Sequence, residues 1–448
     1  MARPHDVPAG AIKVRGARLI VAAAAALVGL AILFLSRGFN FYFDEWNFIL
    51  TAPNWTWLTI LEPHNEHPAV LPRLIYAALL DTVGLRAYWP YMALLLALHA
   101  LNAFLLFELV RRRSGDLIGI AAAALLLVLG AGWENLLWAF QMTFAGSVTC
   151  GLGALLALQR MSGPRGTAAV VALTLGSLLF SGIGLFFAVA VVVQMAMEPA
   201  RRRELVWLAP VGVALAVWYV TLGRTGAETN PPPSVMNITT APVYIAWGLG
   251  AAAAGIIGEG GWWGPVALIV SAAAVGWSWR RRAPDPFALS VAAAMVSLYA
   301  VTALTRGQFG HEQAGSGRYV YEGAIFWLLL LADAAIVLPW RGTWRPALAA
   351  LVFLACFNSA ALLFEFGTAK TVQMQREGAD LQALNSLRAD PCVKPNASPD
   401  DLVMPYLDSA ALYYRAVDLY GDPAPSGPIV DRSDYDRARQ NLLFTNCR

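Results

Sequence analysis

The sequence predicts an all-α polytopic membrane protein, and three observations carry that reading. Hydrophobic residues make up 58% of the chain and charged residues only 14%, against roughly 45–50% and about 25% in an ordinary globular domain. Mean hydropathy is +0.55. Apolar runs of about 20 residues, the length a helix needs to cross a bilayer, recur along most of the 448 residues. A soluble nucleotide-binding enzyme and a disordered scaffold are excluded. The net charge of +3 is too small to point to nucleic acid. The runs are long, continuous and Ala/Leu-rich, without the alternation of an outer-membrane barrel.

Lys13, Arg15 and Arg18 precede the first run, Leu19 to Leu35. No small-residue cleavage site follows it, so it reads as a first spanning helix with a cytoplasmic N-terminus. Further spans are expected near 88–110, 116–131, 142–159, 167–180, 182–198, 205–222, 263–279, 285–304, 320–338 and 346–364. Two segments are ambiguous: 70–84, which holds Arg73 and Asp81, and the Ala/Gly-rich 241–257.

Arginines arbitrate, because short cytoplasmic loops carry the excess of Lys and Arg. The clusters are Arg111 to Arg113, Arg160 with Arg165, Arg201 to Arg203, Arg280 to Arg282, and Arg341 with Arg345. If both ambiguous segments span, there are thirteen helices and the first three clusters fall outside. If neither spans, there are eleven and all five clusters fall inside. Eleven is therefore expected, with 70–84 and 241–257 lying at or dipping into the outer interface. Residues 1–364 form the transmembrane module, with a first outer loop over 38–87. Residues 365–448 turn polar and read as a small extracytoplasmic domain. Cys392 and Cys447 lie in it, and an oxidising compartment favours a disulfide between them. Cys150 and Cys356 fall inside apolar runs as packing residues.

In such a chain the informative residues are the ionisable ones a bilayer ought to exclude. They gather at the outer ends of the expected helices. The first loop carries Asp44 and Glu45 among Phe41, Tyr42, Phe43 and Trp46, then His64, Glu66 and His67. The second outer loop carries Glu134 beside Trp133 and Trp138. A later one carries Arg306, His311, Glu312, Arg318 and Tyr319. Together they predict a polar cleft rimmed by aromatics, with His64, Glu66, His67, His311, Glu312 and Tyr319 as candidate substrate ligands.

Aromatic residues are enriched at membrane interfaces in any case, so the carboxylates are the sharper signal. Carboxylates wrapped in aromatic rings are poorly solvated, which raises their pKa and strengthens them as bases. Adjacent helical residues point about 100° apart, so one of Asp44 and Glu45 is expected to face the cleft, and Asp44 is preferred. Arg318 stands where a helix begins, so guanidinium and helix N-terminus together suit a phosphate; Arg306 is a second anion ligand. His64, Glu66 and His67 fit a divalent metal ion by residue type, although hydrogen-bonded structural histidines share that spacing. No soluble cofactor domain is visible.

Asp44-Glu45 close after the first helix, then His67-Pro68-Ala69-Val70-Leu71-Pro72-Arg73 leading toward the next span, resembles the GT-C superfamily of integral-membrane glycosyltransferases. His67-Pro68 stands where the protein mannosyltransferase branch carries Lys-Pro. The resemblance implies a polyprenyl-phosphate-linked sugar donor, a glycan, glycolipid or protein acceptor, and work on the outer face of the plasma (inner) membrane. It implies an acidic residue of the first loop as base, Asp44 or Glu45, a second acidic residue at Glu134, and donor phosphate on Arg318. The chemistry agrees: a phosphate leaving group needs no general acid, one base suffices, and single displacement inverts the anomeric carbon. The competing readings are a transporter or flippase of an envelope lipid or sugar, and a non-catalytic scaffold. A transporter would place ionisable residues near the bilayer midplane; here they sit at helix ends.

Overall fold

The computed structural model describes residues 13–225, 232–338, 343–445 and 447. Among them the regular elements are helical. In chain order they are α1 (Ala17–Leu35), α2 (Asp44–Thr51), α3 (Val70–Thr82), α4 (Trp89–Ser114), α5 (Asp116–Leu127), α6 (Glu134–Leu137), α7 (Met142–Arg160), α8 (Gly163–Phe180) and α9 (Gly184–Met197). Then come α10 (Ala209–Thr221), α11 (Val235–Gly255), α12 (Gly264–Arg281), α13 (Pro286–Arg306), α14 (Gly317–Ala334), α15 (Trp344–Ser386), α16 (Ala410–Tyr420) and α17 (Arg432–Leu442). Proline opens α4, α8, α10, α12 and α13 within their first two residues, where its missing N–H and fixed φ do no harm.

The ionic contacts sort the helix ends into two layers. At one end Arg18 Nε donates to Glu108 Oε1 (2.7 Å), Arg111 Nε to Asp116 Oδ1 (2.8 Å), and Arg160 pairs with Glu108. Arg113 bridges Asp285 (2.7 Å) and Asp333 (2.6 Å), Arg282 joins Asp333 (2.8 Å), and Arg201 donates to the Leu158 carbonyl (2.7 Å). Each arginine-rich loop thus ties neighbouring helices together on one face. Arg345 opens α15 at the same end, and Arg341 lies outside the described residues.

The expected spans all appear as helices. Eight helical stretches among the described residues are long and apolar enough to cross a membrane: α1, α4, α7, α8, α10 together with the 3-10 turns that precede it from Arg202, α13, α14 and α15. α5 and α9 are shorter apolar helices; with α12 they join the same two layers. The two ambiguous segments do not connect the layers. α11 begins where Asn237 donates to the Leu304 carbonyl (3.1 Å) and to Gln308 (2.6 Å). It ends with Gly255 against Ala131 and Val320. Both ends therefore lie beside the residues that close α13 and open α14, so α11 runs across the far layer. α3 lies in the first loop of that layer, its Arg73 bonded to carbonyls of Ile60 (3.1 Å) and Pro63 (3.2 Å).

α15 continues unbroken through 364/365, where composition suggested a boundary, and its second half stands beyond the bundle. The tail folds back on that half: Tyr414 donates to the Leu384 carbonyl (2.8 Å) and Gln382 to Pro425 (3.0 Å). Cys392 and Cys447 are joined, with Cα atoms 5.7 Å apart. The tail also grips the first loop. Leu85 N donates to the Tyr420 carbonyl (2.9 Å), and Asn40 Nδ2 to Pro423 (2.9 Å).

Candidate functional site

Asp44 opens α2 immediately after Phe43, whose φ of 50° and ψ of −117° are strained for a residue with a Cβ. What holds the turn is Glu45. Its carboxylate accepts from Tyr42 N (2.8 Å), Tyr76 Oη (2.8 Å) and Tyr88 Oη (3.1 Å), and it is fully buried. Burial pushes the Glu45 carboxyl up to about 8 despite those three donors. The two adjacent carboxylates therefore part: Glu45 turns inward among the tyrosines, and Asp44 lines a cavity of about 360 Å³.

That cavity opens between the first loop, α7, α8, the α13–α14 connection and the tail. Facing Asp44 is His64, with Nε2 3.3 Å from Asp44 Oδ1. Both atoms are buried and neither has a hydrogen-bond partner, so the pair is poised to hold something between or beside them. His64 and His67 close a tight turn, each N–H donating to the other's carbonyl (3.0 and 3.1 Å). Asn65 supplies the left-handed residue that turn requires, at φ 52°, a conformation asparagine tolerates. His67 also lines the cavity; burial, then the Arg306 charge, lowers it to about 4, so it is neutral at pH 7.

The opposite wall is cationic. Arg306, Arg318 and Tyr319 line the cavity. Arg306 is tied to Glu66 through a bidentate ion pair, one arm of 2.9 Å. Burial alone would raise the Glu66 carboxyl; the Arg306 hydrogen bond and charge outweigh it and hold it low. Glu66 is thereby engaged with a cation. Arg318 Nε lies 3.1 Å from Glu134 Oε2, and Glu134 Oε1 accepts from Gly317 N (3.1 Å). Glu134 thus occupies the start of α14, which the sequence suggested for a phosphate, and orients Arg318 at the cavity edge.

Two residues expected in the cleft stand apart from it. His311 and Glu312 are exposed, His311 with its ring against Trp247 (4.9 Å between centroids). Among the described residues no group of three or more His, Cys, Asp or Glu side chains is arranged to hold a metal ion. Asp44 and His64 offer two donors, and Glu66 is spent on Arg306. Gln141, Thr143 and Tyr406 also line the cavity; of these the sequence marked Gln141 and missed Thr143 and Tyr406. Gln141 and Thr143 carry buried side-chain oxygens without partners. Gln141 lies three residues past Trp138, in the loop that also holds Glu134. Tyr406 comes from the polar tail, where nothing local marks it.

No family model and no curated protein matches the sequence. Solved structures do match. The chain is similar to the Archaeoglobus fulgidus oligosaccharyltransferase in complex with zinc and sulfate, at TM-score 0.53 and 15% identity, over 94% of this chain and 61% of that one. It is similar to the same enzyme tethered to an acceptor peptide with the NVT sequon, at TM-score 0.51 and 14% identity over 96% and 61%. It is also similar to the archaeal oligosaccharyltransferase AglB with an inhibitory peptide and a dolichol-phosphate, at TM-score 0.51 and 14% identity over 95% and 63%. At these identities the shared property is the fold. The chain spans less than two thirds of the length of the proteins it matches.

Proposed function

We propose that the chain is a multi-pass glycosyltransferase that moves a sugar from a polyprenyl-phosphate donor to a hydroxyl of an envelope acceptor, with inversion. One observation carries the reading: a buried carboxylate, Asp44, shares a single cavity with two cationic side chains, Arg306 and Arg318, at the helix ends opposite the arginine-rich layer. The volume falls in the range of small-ligand sites, about 300–1,000 Å³. A polyprenyl tail would lie along the bundle and leave only its head group in the cavity. The structural neighbours bind an acceptor peptide in one case and dolichol-phosphate in another, which supports a lipid-linked donor. By the positive-inside rule the arginine-rich layer faces the cytoplasm, so the cavity and the disulfide-bonded tail face outward.

In the reaction Asp44 takes the acceptor hydroxyl's proton as its oxygen attacks the anomeric carbon. The bond from that carbon to the phosphate oxygen breaks, and its electron pair leaves on the phosphate. Arg318, held by Glu134, meets the charge that grows there, while Arg306 remains partly neutralised by Glu66. His64 lies beside the base and His67, uncharged, adds no competing cation. Glu45 serves by aiming Asp44.

The test is transfer from radiolabelled polyprenyl-phosphate mannose, arabinose and glucose to a membrane glycolipid extract. Asp44→Asn should lower turnover by about 10²-fold or more and leave the melting temperature intact. Full turnover in that variant would remove Asp44 as base.

A further inference from the structure

The tail reaches into the reaction cavity at one place. Among the described residues Tyr406 is the tail side chain that lines it. Its ring meets Phe43 edge to face, 4.9 Å between centroids, and Phe43 is the residue with the strained backbone that launches Asp44. Tyr406 shares the cavity wall with Asp44; burial first, then the Asp44 carboxylate, raises the Tyr406 hydroxyl above the usual tyrosine range.

Tyr406 is not a loose loop residue. Asp400 Oδ1 accepts from Leu402 N (2.8 Å) and Val403 N (3.1 Å), and the Asp400 carbonyl accepts from Met404 N (2.8 Å). Leu407 N then closes a turn on the Met404 carbonyl (3.0 Å) across Pro405 and Tyr406. Met404 and Leu407 are fully buried on either side. The second Asp400 oxygen meets Arg437 (2.7 Å), which also pairs with Asp434 on α17. The ring is therefore aimed by the whole tail. The ionisable groups that share the cavity with it are Asp44, His64 and His67 from the first loop, Arg306 and Arg318; Asp44 and Arg318 act on its hydroxyl.

We propose that Tyr406 is a positioning residue of the reaction centre: its ring steadies the Phe43 turn, its hydroxyl holds the Asp44 carboxylate, and the tail thereby completes the site. This rests on the reading of Asp44 as base. It makes the tail a working part of the cavity wall on the side where an acceptor must approach, and it explains why the tail is fastened to the first loop at Leu85 and Asn40.

Two measurements on the full chain test it. The first needs no substrate: 3-fluorotyrosine at position 406 is observed by ¹⁹F NMR with and without Asp44→Asn. Loss of the carboxylate should shift the resonance; an unmoved resonance overturns the proposal whatever the turnover. The second compares Tyr406→Phe and Tyr406→Ala with the wild type on the labelled donors above. Tyr406→Phe should lower kcat about tenfold or more, the effect of one hydrogen bond to a charged group. Donor KM should barely change. Tyr406→Ala should add a rise in acceptor KM. A Tyr406→Phe protein with wild-type kcat overturns the proposal and leaves the glycosyltransferase reading intact. A shifted resonance with no wild-type transfer from any donor leaves the Tyr406–Asp44 contact standing and contradicts the function instead.

Discussion

Asp44 and Glu45 are neighbours with the same functional group, and their surroundings give them different work. Glu45 is fully buried and held by the Tyr42 N–H and the Tyr76 and Tyr88 hydroxyls, and burial keeps its proton where an ordinary carboxyl has lost it. The sign follows from linkage. With a folded value near 8 against an ordinary 4.5, its contribution to stability is fully present below about pH 4.5 and is lost as pH rises through 8. Melting temperature should therefore fall between about pH 4.5 and 8, and subtracting the Glu45→Gln profile should remove that part of the slope. Identical slopes in the two proteins would contradict the tyrosine cage. Across the cavity, Glu66→Gln leaves the largely buried Arg306 guanidinium without its carboxylate. A loss of about 2 kcal/mol is expected, read by thermal unfolding in detergent, and Arg306→Gln added to it should recover part. The sequence showed that a carboxylate, histidines and arginines would meet here. It could not show that Glu66 would be consumed by Arg306 or Glu134 by Arg318, because those pairings join residues 240 and about 184 positions apart, distances only the folded chain brings to zero.

At the scale of elements, the first loop and the tail act as one assembly. Gly84 takes a φ of +70°, and a Cβ there would run into the Tyr420 carbonyl, the acceptor of the Leu85 N–H. Gly84→Ala is expected to loosen the tail from the first loop at a cost of about 1–2 kcal/mol from the left-handed backbone alone, and to lower transfer more than overall stability. Protease sensitivity of residues after 387, set beside turnover, checks both. The disulfide closes a sequence separation of 55, for which loop entropy gives about 4 kcal/mol. Cys392→Ser should therefore destabilise the tail and, through Tyr406, slow transfer without unfolding the bundle. Tail helices α16 and α17 are short and polar on one face, with no apolar run to announce them. Their docking on the upper half of α15 was illegible because that half reads as loop or domain by composition, while its helix continues from the span below.

Over the whole molecule, the bundle was legible because a bilayer leaves the chain few choices: long apolar helices, arginines gathered in one set of loops, polar groups at the ends. α11 illustrates the logic. Its 21 residues suffice to cross, yet Asn237, Pro242 and a run of Gly and Ala suit a helix lying across the far layer, where both its ends are found. The cavity was legible as a neighbourhood and not as a geometry; residue types gave its chemistry, and only the fold excluded His311 and admitted Tyr406. The central claim is that this cavity holds a lipid-linked sugar and that Asp44 consumes it. Native mass spectrometry of detergent-purified Asp44→Asn beside wild type tests this most directly. A bound mass of polyprenyl phosphate plus sugar is expected in the variant, and bare polyprenyl phosphate in the wild type. The same intact glycolipid bound equally to both proteins would contradict it and identify a carrier in place of an enzyme.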